Sequence, residues 1–247
     1  MVRRVFLFVG ILSLVCVLGI AAIWGLDRAG FFSVVAVDIG LVATGQSIQH
    51  LSDEVEKIQK RFNSIHGRSL LDLDLMQEAS FLSKYQWIES HNVRKMWPNR
   101  VFVEIRPYEV KALYFSRPDG FTPVVADGRL LDSVDAASAP DAPLLEGKLF
   151  LRDPELRRKA LQMLEELPFD GPVGRRSLGQ ITWDQKMGFL VRLVGAGVEV
   201  HLGHDDFAVK AQRVAKVLEY LNSRKMNARV IDANLSKKVL VRLRKAP

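Results

Sequence analysis

The sequence predicts an α+β protein carried on a single N-terminal transmembrane helix. Three observations predict it. Residues 5–26 form an unbroken apolar run, VFLFVGILSLVCVLGIAAIWGL, with no charge. Residues 31–107 read in the order β-α-α-β-β. Residues 108–247 read as short strands and turns, with a long amphipathic helix near the C-terminus.

The apolar run has 22 residues; as a helix it rises about 33 Å, enough for a hydrocarbon core of about 30 Å. Arg3 and Arg4 precede it, Asp27 and Arg28 follow, and Trp24 lies near its far end, where an indole favours the interface. The positive-inside rule makes residues 1–4 a cytoplasmic tail and exports everything after residue 28. Small residues at Gly19-Ile20-Ala21 also suit a cleaved signal peptide, although the apolar run continues past them through Ile23-Trp24. An anchor is the expectation. Cys16, inside the run, is the one cysteine, so no intramolecular disulfide and no cysteine-based metal site can form.

Residues 31–39, rich in Phe and Val, read as a strand. Ser52 is placed to cap a helix opening on Asp53-Glu54, with Val55, Ile58, Phe62 and Ile65 as its apolar stripe and Gly67 at its end. A second helix begins near Asp74, with Gln77 spaced for a capping box. Two strands follow, 87–95 and 100–106, joined at Met96-Trp97-Pro98-Asn99. Two helices on one face of three strands make a small layered unit.

Beyond it, residues 110–115 alternate as a strand, and 124–131 read as a hairpin around Asp127-Gly128. Residues 136–143 are a Pro/Ala-rich loop. Asp153-Pro154 starts a helix reaching Glu166, with an N-cap and then Pro at the first position. Residues 180–183, 188–194 and 198–202 form a meander turning at Gly195-Ala196-Gly197, and a long helix covers about 206–223. Strands at 228–231 and 238–244 close the chain.

The formal charge of +7 is unevenly spread. Residues 208–247 hold 11 basic groups against 2 acidic, while the body between the ends is mildly acidic. A uniformly basic nucleic-acid surface is excluded, and the exported basic C-terminus meets no nucleic acid. No G-x-S-x-G, G-x-G-x-x-G, Walker loop, H-E-x-x-H or S-x-x-K occurs, which lowers the expectation of an enzyme. The residual candidate is His201-Leu202-Gly203-His204-Asp205-Asp206. It either holds a divalent metal or marks a strand end, a turn and a helix cap. In the last strand Val239, Val241 and Leu243 alternate with Leu240, Arg242 and Arg244. One face can then pack while the other carries charge, either to dock a partner strand or to guard an exposed edge. Trp97-Pro98 either buries its indole to fix the corner or presents it as a contact surface.

Val93-Arg94-Lys95-Met96-Trp97-Pro98-Asn99, after Trp87-Ile88, resembles the strand corner of the POTRA domain in the bacterial FtsQ/DivIB division family. Asp127-Gly128-Arg129-Leu130, Pro143-Leu144-Leu145-Glu146-Gly147 and Gly197-Val198-Glu199-Val200-His201-Leu202-Gly203 resemble successive segments of that family's β domain. Val230-Ile231-Asp232 before a final strand continues the likeness. Departures occur at Pro107 and Val110, and at Asp232-Ala233-Asn234. The resemblance implies a POTRA-like domain over 31–107 and an FtsQ-type β domain over 108–247. It also implies a non-enzymatic divisome scaffold without cofactor or metal. Such a scaffold sits in the bacterial inner membrane at the septum, with its folded domains periplasmic. It binds the single-pass proteins FtsB and FtsL, for which Val239, Leu240, Val241, Arg242 and Leu243 are the candidate contacts; Val93, Arg94, Trp97 and Pro98 form the POTRA corner. The alternatives are a POTRA-bearing envelope assembly or transport factor, and an anchored metal-dependent enzyme.

Overall fold

The computed structural model describes residues 2–42, 51–116, 120–195, 197–235 and 238–244. The chain divides into two compact units, Met1–Pro107 and Tyr108–Pro247, and both mix helix with sheet. The expected turn at Ala196 lies outside the described residues.

The first unit opens with α1 (Val2–Arg28). Twenty-seven helical residues extend about 40 Å, ample for a bilayer. From Gly10 onward its apolar side chains are exposed, as expected for a helix whose solvent is lipid. The helix stops at Gly30, whose φ of +81° suits the left-handed residue of a C-terminal cap. There the N–H of Phe31 donates to the carbonyl of Leu26.

A three-stranded sheet follows, ordered β1 (Ala36–Leu41), β3 (Arg100–Pro107), β2 (Ile88–Met96). β1 and β3 are parallel; β2 and β3 are an antiparallel hairpin. Regular pairing starts at Ala36, so residues 31–33 are not strand as expected. They turn out of α1 and hold a single bridge, Ser33 to Ser69. Val101, Val103 and Ile105 point to one face, where α2 (Ser52–Phe62), a 3-10 turn (Asn63–Ile65) and α3 (Leu75–Ala79) supply Ile58, Phe62, Ile65 and Ala79. Ser52 is the first helical residue; the residue before the helix is Leu51. α3 is capped as the sequence implies, since Asp74 accepts from the N–H groups of Met76 and Gln77 at 3.0 and 3.2 Å.

The second unit is built on an eight-stranded sheet. In chain order its strands are β4 (Val110–Ser116), β5 (Gly120–Val125), β6 (Leu144–Glu146), β7 (Leu178–Asp184), β8 (Gly188–Leu193), β9 (Glu199–Gly203), β10 (Ala228–Asp232) and β11 (Leu240–Leu243). Across the sheet the order is β11-β10-β9-β8-β7-β6-β4-β5. β7, β8 and β9 form the expected meander, and β9 connects to the parallel β10 through α6 (Phe207–Ser223).

Two short elements, β6 and α4 (Lys148–Arg152), carry no clear sequence signature. The hairpin expected over 124–131 is reduced to a single bridge, Val124 to Leu130, across the Asp127-Gly128 turn, because the strand before that turn, β5, pairs instead with β4. α5 (Pro154–Glu166) begins as expected: Asp153 accepts from the N–H groups of Glu155 and Leu156 at 2.9 and 3.1 Å. Leu156, Ala160 and Leu164 of α5 and Ala211, Val214 and Leu218 of α6 share one core with Ile181, Val191, Val200 and Ile231.

Candidate functional site

The strongest candidate surface is the edge made by β11. Its pairing with β10 is antiparallel, with Val241 opposite Ile231 and Leu240 opposite Asp232. Among the described residues no strand lies on its other side. The N–H of Arg244 donates to the carbonyl of Asn227 at 2.8 Å. Backbone groups alternate in direction along an antiparallel strand, so the N–H and C=O of Val241 and Leu243 face outward. These are donors and acceptors ready for another strand.

The side chains sort almost as the alternation implies. Val239 and Val241 pack partly against the core. Leu240, 55% exposed, and Arg242 lie on the open face. Leu243 departs from the expected pattern: it is 47% exposed and does not pack against the core as Val239 and Val241 do. Leu235, in the β10–β11 loop, is a further exposed apolar residue, at 42%, that sequence reasoning missed. Its signal was an isolated leucine between Asn234 and Ser236.

The corner of β2 and β3 is the second candidate. Val93 is half-buried opposite Val103. The Arg94 guanidinium lies 4.7 Å over the Phe102 ring. The Trp97-Pro98 peptide is cis. Trp97 is not buried: it is 56% exposed and touches Phe32 edge to face, with ring centroids 5.7 Å apart. The corner is therefore held by backbone pairing, and its indole is presented outward.

The histidine cluster does not assemble as a metal site. His201 lies nearly buried on β9, its Nε2 2.9 Å from Glu199 Oε1 and its Nδ1 3.9 Å from Asp232 Oδ2. His204 lies beyond Gly203, whose φ of +81° redirects the chain, and its ring stacks edge to face on Trp183 at 5.2 Å. Asp205 is taken by Lys210 at 2.7 Å, and this ammonium holds its carboxyl below the usual range. Asp206 is left-handed at φ 51° and provides no side-chain cap, contrary to the capping expectation. Among the described residues no three His, Cys, Asp or Glu side chains converge on a point where an ion could sit.

Comparison with known proteins agrees with this architecture. Residues 113–234, within the second unit, match the family model described as cell division protein FtsQ/DivIB, C-terminal. The cell division protein FtsQ of Syntrophotalea carbinolica is 27% identical over 247 aligned residues, covering 91% of this chain and 86% of that protein. FtsQ of a Geobacter species is 26% identical, covering 71% of this chain and 66% of its own length. FtsQ of Myxococcus fulvus is 27% identical over 65% of this chain and 57% of its own. With its single apolar N-terminal helix and its β-rich second unit, the chain carries the C-terminal domain of the FtsQ/DivIB cell division family over residues 113–234 and is similar along most of its length to cell division proteins named FtsQ.

Proposed function

We infer that this protein is a non-enzymatic scaffold of the division apparatus. Its anchor holds it in the bacterial inner membrane at the septum, with residues after 28 on the periplasmic side. In this reading residues 31–107 act as a POTRA-like domain and residues 108–247 as the β domain. The β domain recruits FtsB/FtsL-type single-pass proteins and links early to late steps of septal peptidoglycan synthesis. The observation that carries this reading is the open backbone edge of β11, flanked by exposed Leu240 and Leu243 and by Arg242. An incoming strand would pair with Val241 and Leu243, pack on the leucines, and place an acidic side chain against Arg242. Arg94 and Trp97 would serve a separate contact at the corner of the first unit.

Replacing Val241 with proline tests the reading, because it removes one outward donor and spares the N–H groups that face β10. Cells dependent on V241P are expected to filament, and the variant to lose co-purification of an FtsB-type partner while melting near the wild-type temperature. Normal septation with undiminished partner capture would refute strand addition at this edge.

A further inference from the structure

The first unit has almost no slack where it leaves the bilayer. Asp27, in the last turn of α1, accepts a hydrogen bond from the Ser69 hydroxyl. The carbonyl of Phe32 accepts the N–H of Leu70 at 2.9 Å, and the N–H of Val34 donates to the carbonyl of Arg68 at 2.9 Å. Three residues, 29–31, separate the helix from this pairing, a reach of about 11 Å at most. The polar layer on one side of a bilayer is itself about 5–8 Å deep.

Topology then fixes which end of the sheet faces the membrane. β1 starts at the helix side and β3 runs parallel to it, with Ala36 opposite Arg100. The N–H of Val35 donates to the carbonyl of Asn99 at 2.9 Å. The β2–β3 corner therefore lies at the end of the sheet nearest α1. Ile88 and Pro107 mark the far end.

The near end carries the exposed apolar side chains Phe31, Val35, Leu71, Met96 and Trp97, at 50, 64, 40, 42 and 56% exposure. Phe31 and Phe32 meet edge to face at 5.2 Å, and Phe32 in turn meets Trp97. An aromatic cluster of this kind is out of place in water and at home in the headgroup layer, where indole and phenyl rings sit at the boundary with the acyl chains. Arg28 and Arg100 lie at the same end, Arg28 over the Trp24 ring and Arg100 paired with Asp38 at 3.2 Å, where cationic groups favour an anionic lipid surface.

We propose that the near end of the first unit docks on the lipid surface, with Phe31, Met96 and Trp97 in the headgroup layer. The span and this patch then form a two-point attachment that fixes the orientation of the unit on the membrane. The inference rests on α1 spanning the bilayer and is independent of any partner strand at β11.

The full chain with Cys16→Ala, reconstituted one copy per nanodisc of phosphatidylethanolamine and phosphatidylglycerol, tests it. Single nitroxide labels are placed at Phe31→Cys, Trp97→Cys and Ser90→Cys. Ser90 lies six residues back along β2 from Met96, about 20 Å toward the far end. Labels at 31 and 97 are expected to be several-fold more accessible to oxygen than to a water-soluble nickel chelate, relative to the label at 90. Equal nickel accessibility at all three positions overturns the proposal, including the case in which the patch awaits a protein partner. The native indole provides a second readout that needs no label. In a Trp24→Phe background, brominated lipid is expected to quench a component that a further Trp97→Phe change removes. No loss of quenching on that change also overturns the proposal.

Discussion

Arg157 of α5 donates its Nε–H to the carbonyl of Gly128 at 2.5 Å, joining residues 29 positions apart in the chain. Its Nη1 donates to the carbonyls of Phe150 and Leu151 at 2.6 and 3.1 Å. Arg157, 6% exposed, thus satisfies with one guanidinium acceptors on the Asp127-Gly128 turn and on α4. Burial pulls its pKa down, and the nearby Asp153 opposes that effect. Arg157→Met keeps much of the apolar bulk but strands these carbonyls. The expected loss is about 3 kcal/mol, the cost of unpaired buried acceptors together with a broken anchor. Urea unfolding should show a lower midpoint with unchanged slope, and Arg157→Lys should fall between the two.

The turn on which Arg157 rests also gives the second unit an acid sensitivity. Asp127 accepts from the backbone N–H of Arg129 at 2.9 Å and from its Nε at 2.6 Å, while Arg129 donates to the Tyr108 hydroxyl at 2.7 Å. Burial pushes the Asp127 carboxyl up, but the backbone and guanidinium donors of Arg129 outweigh it and hold the carboxyl below its ordinary range. A carboxyl with a lowered folded pKa binds its proton more readily in the unfolded chain. Its stabilising contribution is therefore complete above the ordinary carboxylate pKa of about 4 and is lost as pH falls through the lower folded value. Asp127→Asn should flatten the fall of melting temperature on acidification below that point and leave the pH dependence near neutrality unchanged.

Two glycines with the same backbone angle should respond differently to alanine. Gly188 and Gly195 both have φ +76°. A Cβ at Gly188 would stand 2.3 Å from the carbonyl carbon and oxygen of Gly203, on the strand paired with it, whereas a Cβ at Gly195 meets nothing within 4 Å. Gly195→Ala therefore bears only the left-handed conformational cost, about 1–2 kcal/mol. Gly188→Ala adds a backbone clash that no side-chain rotation relieves, and is expected to cost at least about 2 kcal/mol more. Equal melting temperatures for the two variants would contradict this close approach of strands β8 and β9.

Several of these features were legible in the sequence because they depend on local chemistry. Asp153-Pro154 starts a helix through its own cap, and Asp74 caps the start of α3 in the same way. Features set by distant contacts were not legible. Leu144–Glu146 is a strand because β4 and β7 flank it, at three residues too short for an alternation to register. Residues 31–33 have strand-forming side chains but must complete the exit from α1 before pairing can begin. His201 and His204 are neighbours in sequence, yet strand direction and the turn at Gly203 send one toward Asp232 and the other toward Trp183. At the edge, the alternation of Val239 and Val241 was readable; the exposure of Leu243 was not, because alternation assigns a face without saying how far along the strand the core extends.

Lys210 and Asp205 form an asymmetric pair, and the asymmetry ranks their substitutions. The lysine side chain on α6 is only 7% exposed, whereas the aspartate is 77% exposed. Removing the carboxylate leaves an ammonium in the interior with its 2.7 Å partner gone, which is the costly half of a partly buried ion pair. Removing the ammonium leaves a solvated carboxylate that needs no partner, and methionine fills the same space with an apolar chain. Asp205→Ala is therefore expected to lower the melting temperature more than Lys210→Met, and adding Lys210→Met to Asp205→Ala should recover part of the loss. A double-mutant cycle on unfolding free energy measures this coupling. If the two single changes cost the same and add without interaction, the pair does not hold the turn between β9 and α6.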